Sequence, residues 1–178
     1  MKFIKTKLAG AYIIELEKRA DERGFFARTW DEKEFEEYGI YRKPIQTNMA
    51  YSKKKGTLRG LHYQVAPYQE SKLISCTRGA IYDVIIDLRS DSPTYKKWFG
   101  VELSERNRKM LFLPERFAHG FLTLEDNTDV SYQVSAFYNF ESERLVRYND
   151  PAFKIKWFSK VTIISEKDKN APDYKEEL

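Results

Sequence analysis

From residue 45 onward the chain alternates short runs of strand-forming residues with turn chemistry, and this rhythm constrains the fold more than any other feature. The clearest runs span 72–77, 80–88, 97–103, 109–114, 120–124 and 128–138. They are separated by stretches rich in Gly, Pro, Asn, Asp and Ser at 53–56, 89–93, 105–107, 125–127 and 149–151, residues that set turn geometry. Several short strands at this spacing predict an all-β sandwich or barrel, and a closed or double-sheet fold with a hollow centre holds its ligand inside. The 12 Tyr and 12 Phe suit half-buried pleated surfaces and point the same way. One short helix is expected over 31–38, where acidic residues crowd the start and Gly39 follows as a stop signal.

At 178 residues without repeats or Gly/Ser linkers, the whole of 1–178 reads as a single domain. Thirty-one Lys and Arg against 27 Asp and Glu leave a net charge of +4, spread along the chain rather than gathered in a basic block. That gives nucleic-acid binding little support and suits an anionic small molecule. The lone Cys76 has no internal disulfide partner, and the N-terminus lacks the apolar core of a secretory signal, so a cytoplasmic protein is expected. No apolar run approaches the roughly 18–20 residues that span a bilayer.

Strand side chains alternate faces, so Val130, Tyr132, Val134, Ala136 and Tyr138 share one face of the run at 128–138. They either close a core or line a pocket with phenolic hydroxyls available. The only histidines, His62 and His119, both fall in expected strands, and neither has the neighbouring ligands of a usual metal site. No catalytic metal is therefore expected. A metal-free histidine is either a structural hydrogen-bonder or a general base. Arg59 beside His62, Lys72 shortly after and the later tyrosine face supply the remaining parts for proton abstraction next to a carbonyl. In a regular strand Arg59 and His62 would face opposite sides; a bulge at Gly60 would bring them to one. By composition, DERG at 21–24 reads as a charged turn and SEKDK at 165–169 as a solvated tail.

Motifs along nearly the whole chain resemble the sugar-nucleotide 3,5-epimerases of the dTDP-4-dehydrorhamnose 3,5-epimerase family: DERGFF (21–26), QTN (46–48), GTLRGLHYQ (56–64), KLI (72–74), RGAIYDVIIDLR (78–89), PERFAHGFLTLED (114–126), YQVSAFY (132–138), Glu143, NDPAF (149–153) and SEKD (165–168). The resemblance implies a cupin-type jelly roll with a few short helices, a homodimer that exchanges an N-terminal segment, and catalysis without metal or organic cofactor. It implies that His62 removes the protons at C5 and C3 of a 4-keto sugar, that Asp168 orients His62, that Tyr132 returns a proton from the opposite face, and that Lys72 sits by the C4 oxygen. Tyr138 would stack on the nucleotide base. Arg23, Phe26, Gln46, Asn48, Arg59, His119, Glu143 and Lys167 would bind the substrate.

Two departures from the family pattern stand out. Arg28 occupies a substrate-binding position where dTDP-specific members usually carry an acidic residue, exchanging an acceptor for a donor. The stretch from 149 to 168 is short, with Phe158 in place of a common proline; if it failed to deliver Asp168, Asp83 would be the alternative partner for His62. The expected reaction is inversion of C3 and C5 of dTDP-4-dehydro-6-deoxy-D-glucose to give dTDP-4-dehydro-L-rhamnose. A single-centre epimerase, an enzyme for a CDP- or GDP-linked 4-keto sugar, and a non-catalytic sugar-nucleotide binding module are the alternatives.

Overall fold

A computed structural model describes residues 1–176 and shows an all-β protein of the cupin type. One six-stranded antiparallel sheet comprises β1 (Lys2–Lys5), β2 (Tyr12–Glu15), β5 (Gln46–Ser52), β7 (Lys72–Arg78), β10 (Met110–Leu113) and β12 (Thr128–Val134) in the order β1-β2-β10-β7-β12-β5. The facing sheet comprises β6 (Thr57–Gln64), β8 (Ala80–Asp87), β9 (Trp98–Ser104), β11 (Phe117–Thr123) and β13 (Glu143–Leu145) in the order β13-β6-β11-β8-β9, and β14 (Ile163–Ile164) joins β6 in parallel. A separate hairpin pairs β3 (Arg19–Asp21) with β4 (Gly24–Phe26), turning at Glu22–Arg23 within the charged DERG stretch.

Alternation divides each strand between two layers. Ile74 and Cys76 of β7, Ile81 and Ile85 of β8, Phe117 and Phe121 of β11 and Val130 of β12 meet between the sheets. Burial there pushes the Cys76 thiol up to about 12, which leaves it a small inert hydrophobe. On the opposite side of the second sheet, Leu61, Val84, Ile86 and Ala118 pack under Phe153, Ile155 and Trp157 of the C-terminal segment. Outside the first sheet, Ile14, Leu73, Met110 and Phe112 are covered by Phe35.

Phe35 belongs to α1 (Glu32–Glu36), a helix shorter than the expected 31–38. The Asp31 carboxylate accepts from the Lys33 and Glu34 amides, satisfying two donors of the first turn, and Gly39 follows with φ +76°. Two other expectations are corrected. β12 stops at Val134 rather than running to 138, because the chain turns away where Ser135 N–H donates to the Ser71 carbonyl and the Ser135 hydroxyl accepts from Ser71 N–H. Ala136 and Tyr138 therefore do not continue the face of Tyr132. The expected solvated tail at 165–169 contains α2 (Glu166–Lys169), which buries Asp168 to 4% exposure. No helix among the described residues is long and apolar enough to cross a membrane.

Candidate active site

Between the two sheets lies a cavity of about 490 Å³ lined by Arg59 and His62 of β6, Lys72 of β7, His119 of β11, Tyr132 of β12, and Ser165 and Asp168 at the start of α2. Arg59 and His62 share it because β6 carries one residue more than β11 here: Arg59 pairs with Phe121 and His62 with His119, so Gly60 and Leu61 together oppose Gly120. This is the bulge that the parity conflict demanded. Gly60 adopts φ +107°, and a Cβ there would lie 2.6 Å from the His119 carbonyl oxygen and 2.7 Å from Gly120 Cα, so only glycine fits. Leu61 turns to the outer core, and His62 turns inward.

The bulge also serves the carboxylate across from it. His62 Nε2 lies 2.7 Å from Asp168 Oδ1, and Gly60 N–H donates to Asp168 Oδ2 at 3.1 Å. The Ser165 hydroxyl caps α2 by accepting from Asp168 N–H at 3.1 Å. Burial alone would raise the Asp168 carboxyl, but the His62 contact, its charge, and the Gly60 and Ser165 hydrogen bonds hold it below the usual carboxylate range. The tautomer that donates Nε2–H to this carboxylate leaves the Nδ1 lone pair as the basic site of the ring.

A second imidazole–carboxylate pair stands beside the first. His119 Nε2 lies 2.6 Å from Asp83 Oδ1, with side chains 8% and 0% exposed. Asp83 is thereby committed to His119 and is not the partner of His62, which corrects the alternative drawn from sequence. Register explains the difference: Asp83 sits across from Phe121 on the neighbouring strand β8, within reach of β11. Lys72 Nζ lies 2.9 Å from Glu70 Oε1. Arg59 donates to the Ser52 hydroxyl at 3.2 Å and to the Tyr51 carbonyl at 2.9 Å. The Tyr132 phenol is pushed up by burial and further by the Glu70 charge, with Arg59 opposing, so it is a neutral proton donor near pH 7.

Next to Asp168 in sequence, Lys167 leads to a second group in which four more of the predicted residues are joined. Glu143 Oε2 accepts from Lys167 Nζ at 2.5 Å and from the Tyr138 hydroxyl at 3.1 Å, and Tyr138 N–H donates to Gln46 Oε1 at 3.0 Å. Partial burial alone would raise the Glu143 carboxyl, but Lys167 holds it below the usual range, and Tyr138 is 58% exposed. Asn48 lies directly across from Tyr132 in the β5–β12 register.

Arg23, Phe26 and Arg28 are not brought to this cavity. Arg23 is 85% exposed by side chain and pairs with Asp21, Phe26 is 65% exposed, and Arg28 pairs at 2.5 Å with Asp31, the N-cap of α1. Their neighbour Phe25 lines a groove of about 360 Å³ with Leu73, Ser75 and Ser131 of the first sheet, residues alternate to Lys72, Ile74 and Tyr132 and so on its other face. Sequence reasoning missed Glu70, Gln64, Ser52 and Ser165. Two of them carried a signal: Gln64 closes the motif GTLRGLHYQ, and Ser165 is a helix-capping residue three positions before Asp168. Among the described residues no group of three or more His, Cys, Asp or Glu side chains is arranged to hold a metal ion.

Residues 5–176 match the family model for dTDP-4-dehydrorhamnose 3,5-epimerase. The protein of that name from Sinorhizobium fredii is 42% identical over 173 residues, covering 97% of this chain and 89% of its own. The crystal structure of dTDP-4-dehydrorhamnose 3,5-epimerase from Elizabethkingia anophelis NUHP1 superposes with a TM-score of 0.95 at 43% identity, covering 98% of this chain and 96% of that one. The dTDP-6-deoxy-D-glucose-3,5-epimerase from Legionella pneumophila Philadelphia 1, solved in complex with dTDP-4-keto-L-rhamnose, superposes with a TM-score of 0.89 at 37% identity, covering 98% of both chains.

Proposed function

The chain belongs to the dTDP-4-dehydrorhamnose 3,5-epimerase family, and from that premise we propose that it inverts C3 and C5 of dTDP-4-dehydro-6-deoxy-D-glucose to give dTDP-4-dehydro-L-rhamnose. The observation that carries the reading is the shared cavity of the His62–Asp168 pair, the neutral Tyr132 phenol and the Lys72 ammonium. Hydrogens beside a ketone are weak acids, so a base alone is insufficient and the enolate oxygen must be stabilised as charge develops.

In the proposed reaction His62 Nδ1 takes the proton from C5, the C–H electron pair enters the new C4–C5 double bond, and the C4 oxygen becomes an enolate beside Lys72. Asp168 fixes the tautomer and stabilises the imidazolium. Tyr132 returns a proton from the opposite face, so the centre inverts rather than merely exchanging. The imidazolium loses its proton to solvent, the tyrosinate regains one, and the same sequence at C3 completes the product. The group of Tyr138, Glu143, Lys167 and Gln46, with Asn48 nearby, receives the nucleotide, and Arg59 and His119 hold the sugar and its charge.

We further propose a homodimer in which Arg23, Phe26 and Arg28 complete the partner's cavity. The support is that these three lie away from their own cavity, while among the described residues β5 ends the first sheet with one side unpaired and Met49 and Tyr51 exposed. An unpaired strand edge of this kind accepts another strand.

The test is to incubate the protein with dTDP-4-dehydro-6-deoxy-D-glucose in heavy water, count deuterium by mass spectrometry and place it by NMR. Two deuterons, at C3 and C5, with inverted coupling constants are expected. His62→Ala should take up none, and Tyr132→Phe should exchange without inverting. One deuteron would replace the reading with a single-centre epimerase, and uptake only with a CDP- or GDP-linked sugar would change the nucleotide. No uptake with any of these substrates would refute an epimerase.

A further inference from the structure

Beside Lys72 stands a carboxylate for which the proton transfers above have no use. Glu70 lies two residues ahead of Lys72, with its side chain 10% exposed against 8% for the lysine. One oxygen, Oε1, faces the Lys72 ammonium at 2.9 Å. The other, Oε2, accepts from Gln64 Nε2 at 3.2 Å. Gln64 closes β6 at 4% exposure; its two N–H donors are shared among Glu70 Oε2, the Tyr68 carbonyl at 3.0 Å and the Phe137 carbonyl at 3.2 Å, and its oxygen accepts from Asn139 N–H at 2.7 Å. Hydrogen bonds therefore run without a break from Lys72 through Glu70 and Gln64 to both neighbours of Tyr138.

We infer that Glu70 is a positioning residue acting through Lys72: it holds the ammonium at the C4 oxygen and, by way of Gln64, fixes that point relative to the segment carrying Tyr138. The inference rests on the epimerase reading above. Lysine reaches the cavity on a flexible four-carbon stem, and ordering that stem costs rotamer entropy. A buried ammonium without a counter-charge would leave the cavity or lose its proton. One carboxylate oxygen occupies one of its three N–H donors and leaves two for substrate. The Gln64 link then sets the distance between the oxygen being polarised and the base being stacked, a length that the substrate itself fixes.

The test is a double-mutant cycle on deuterium uptake with Glu70→Gln, which keeps the shape and removes the charge, and Lys72→Met. Glu70→Gln should lower kcat about 10²-fold, the scale of a displacement of about 1 Å in a catalytic group, with KM unchanged. In the Lys72→Met background the same substitution should change kcat by less than about twofold, because the group it acts through is gone. Wild-type kcat in Glu70→Gln, or an equal fold-loss in both backgrounds, would overturn the inference and leave Glu70 a structural residue. Failure of the premise looks different: the wild-type protein would then take up no deuterium, and the inference would fall with it.

Discussion

Asp168→Asn changes one atom of the candidate site, and the structure dictates how it acts. The two carboxylate oxygens both accept, Oδ1 from His62 Nε2 at 2.7 Å and Oδ2 from Gly60 N–H at 3.1 Å. An amide offers one acceptor and one donor in their place. With its oxygen toward His62, its NH₂ meets the Gly60 amide donor to donor, which costs about 1–3 kcal/mol for a buried group left unmet. With its oxygen toward Gly60, its NH₂ faces Nε2, and both neighbours are satisfied only if the ring carries its proton on Nδ1. The second orientation is the stable one, and it occupies the lone pair that would take the substrate proton. The negative charge that stabilises the imidazolium is lost as well. Tautomer and charge together should lower the exchange rate about 10⁴-fold, the scale of the same change in other His–carboxylate pairs, or about 5.5 kcal/mol in the barrier. Deuterium uptake at saturating substrate measures it, with an unfolding midpoint taken in parallel. A folded Asp168→Asn protein that retains more than about a tenth of the wild-type rate, a loss under about 1.4 kcal/mol, would refute the assignment of Nδ1 as the base.

Gly60→Ala should destabilise the protein by more than about 2 kcal/mol, since the strained φ alone costs about 1–3 kcal/mol and the new Cβ meets backbone at 2.6 and 2.7 Å. Gly24→Ala, at φ +128° with nothing within 4 Å of the added carbon, isolates the strain alone; equal urea midpoints for the two variants would contradict the close approach of β6 and β11. Asp87 is fully buried, and although burial by itself raises its carboxyl, hydrogen bonds from Arg89, Ser92 and Thr94 hold it below the usual range. A carboxyl depressed on folding adds stability above its unfolded pKa of about 3.9 and loses it as pH falls through the folded value. Asp87→Asn should therefore cost about 3 kcal/mol at pH 7, with the deficit shrinking toward pH 3 in urea titrations. A deficit that stays constant with pH would show that the charge is not what matters.

Strands β6 to β12 were legible because apolar alternation survives where a strand packs into the core, whereas β13 and β14, short and without a buried residue, were not. The N-terminal strands were not: the six residues of β3 and β4 are all exposed, and a strand that buries nothing leaves no pattern to read. The end of β12 was misread for the opposite reason. Alternation runs on through Ala136 and Tyr138, but the hydrogen bonds exchanged between Ser71 and Ser135 redirect the chain, and two serines distant in sequence give no warning. At the site, His62, Lys72 and Tyr132 could be proposed from residue type and spacing. Asp168 could not, because a four-residue helix that buries a single carboxylate has the composition of a solvated charge run. Only the family resemblance singled it out. Glu70 had neither pattern nor motif, since a carboxylate two residues from a lysine is ordinary on any surface.

The charges around the cavity fall into two kinds. His62, His119 and Lys72 each face a carboxylate, at 2.7, 2.6 and 2.9 Å. Arg59 faces none among the described residues; its partners are the Ser52 hydroxyl and the Tyr51 carbonyl. Paired groups gain fixed direction at the expense of net field, which suits a base that must present one nitrogen or an ammonium that must meet one oxygen. An unpaired guanidinium keeps its field, and at 4 Å from an anion near a protein surface that is worth about 4 kcal/mol. The substrate carries a diphosphate throughout the reaction and an enolate only briefly. In the proposed reaction the paired groups therefore manage the transient charge by geometry, and the field of Arg59 draws the anionic substrate in and holds its sugar. The bulge at Gly60 puts both kinds on one strand, three residues apart and facing the same space.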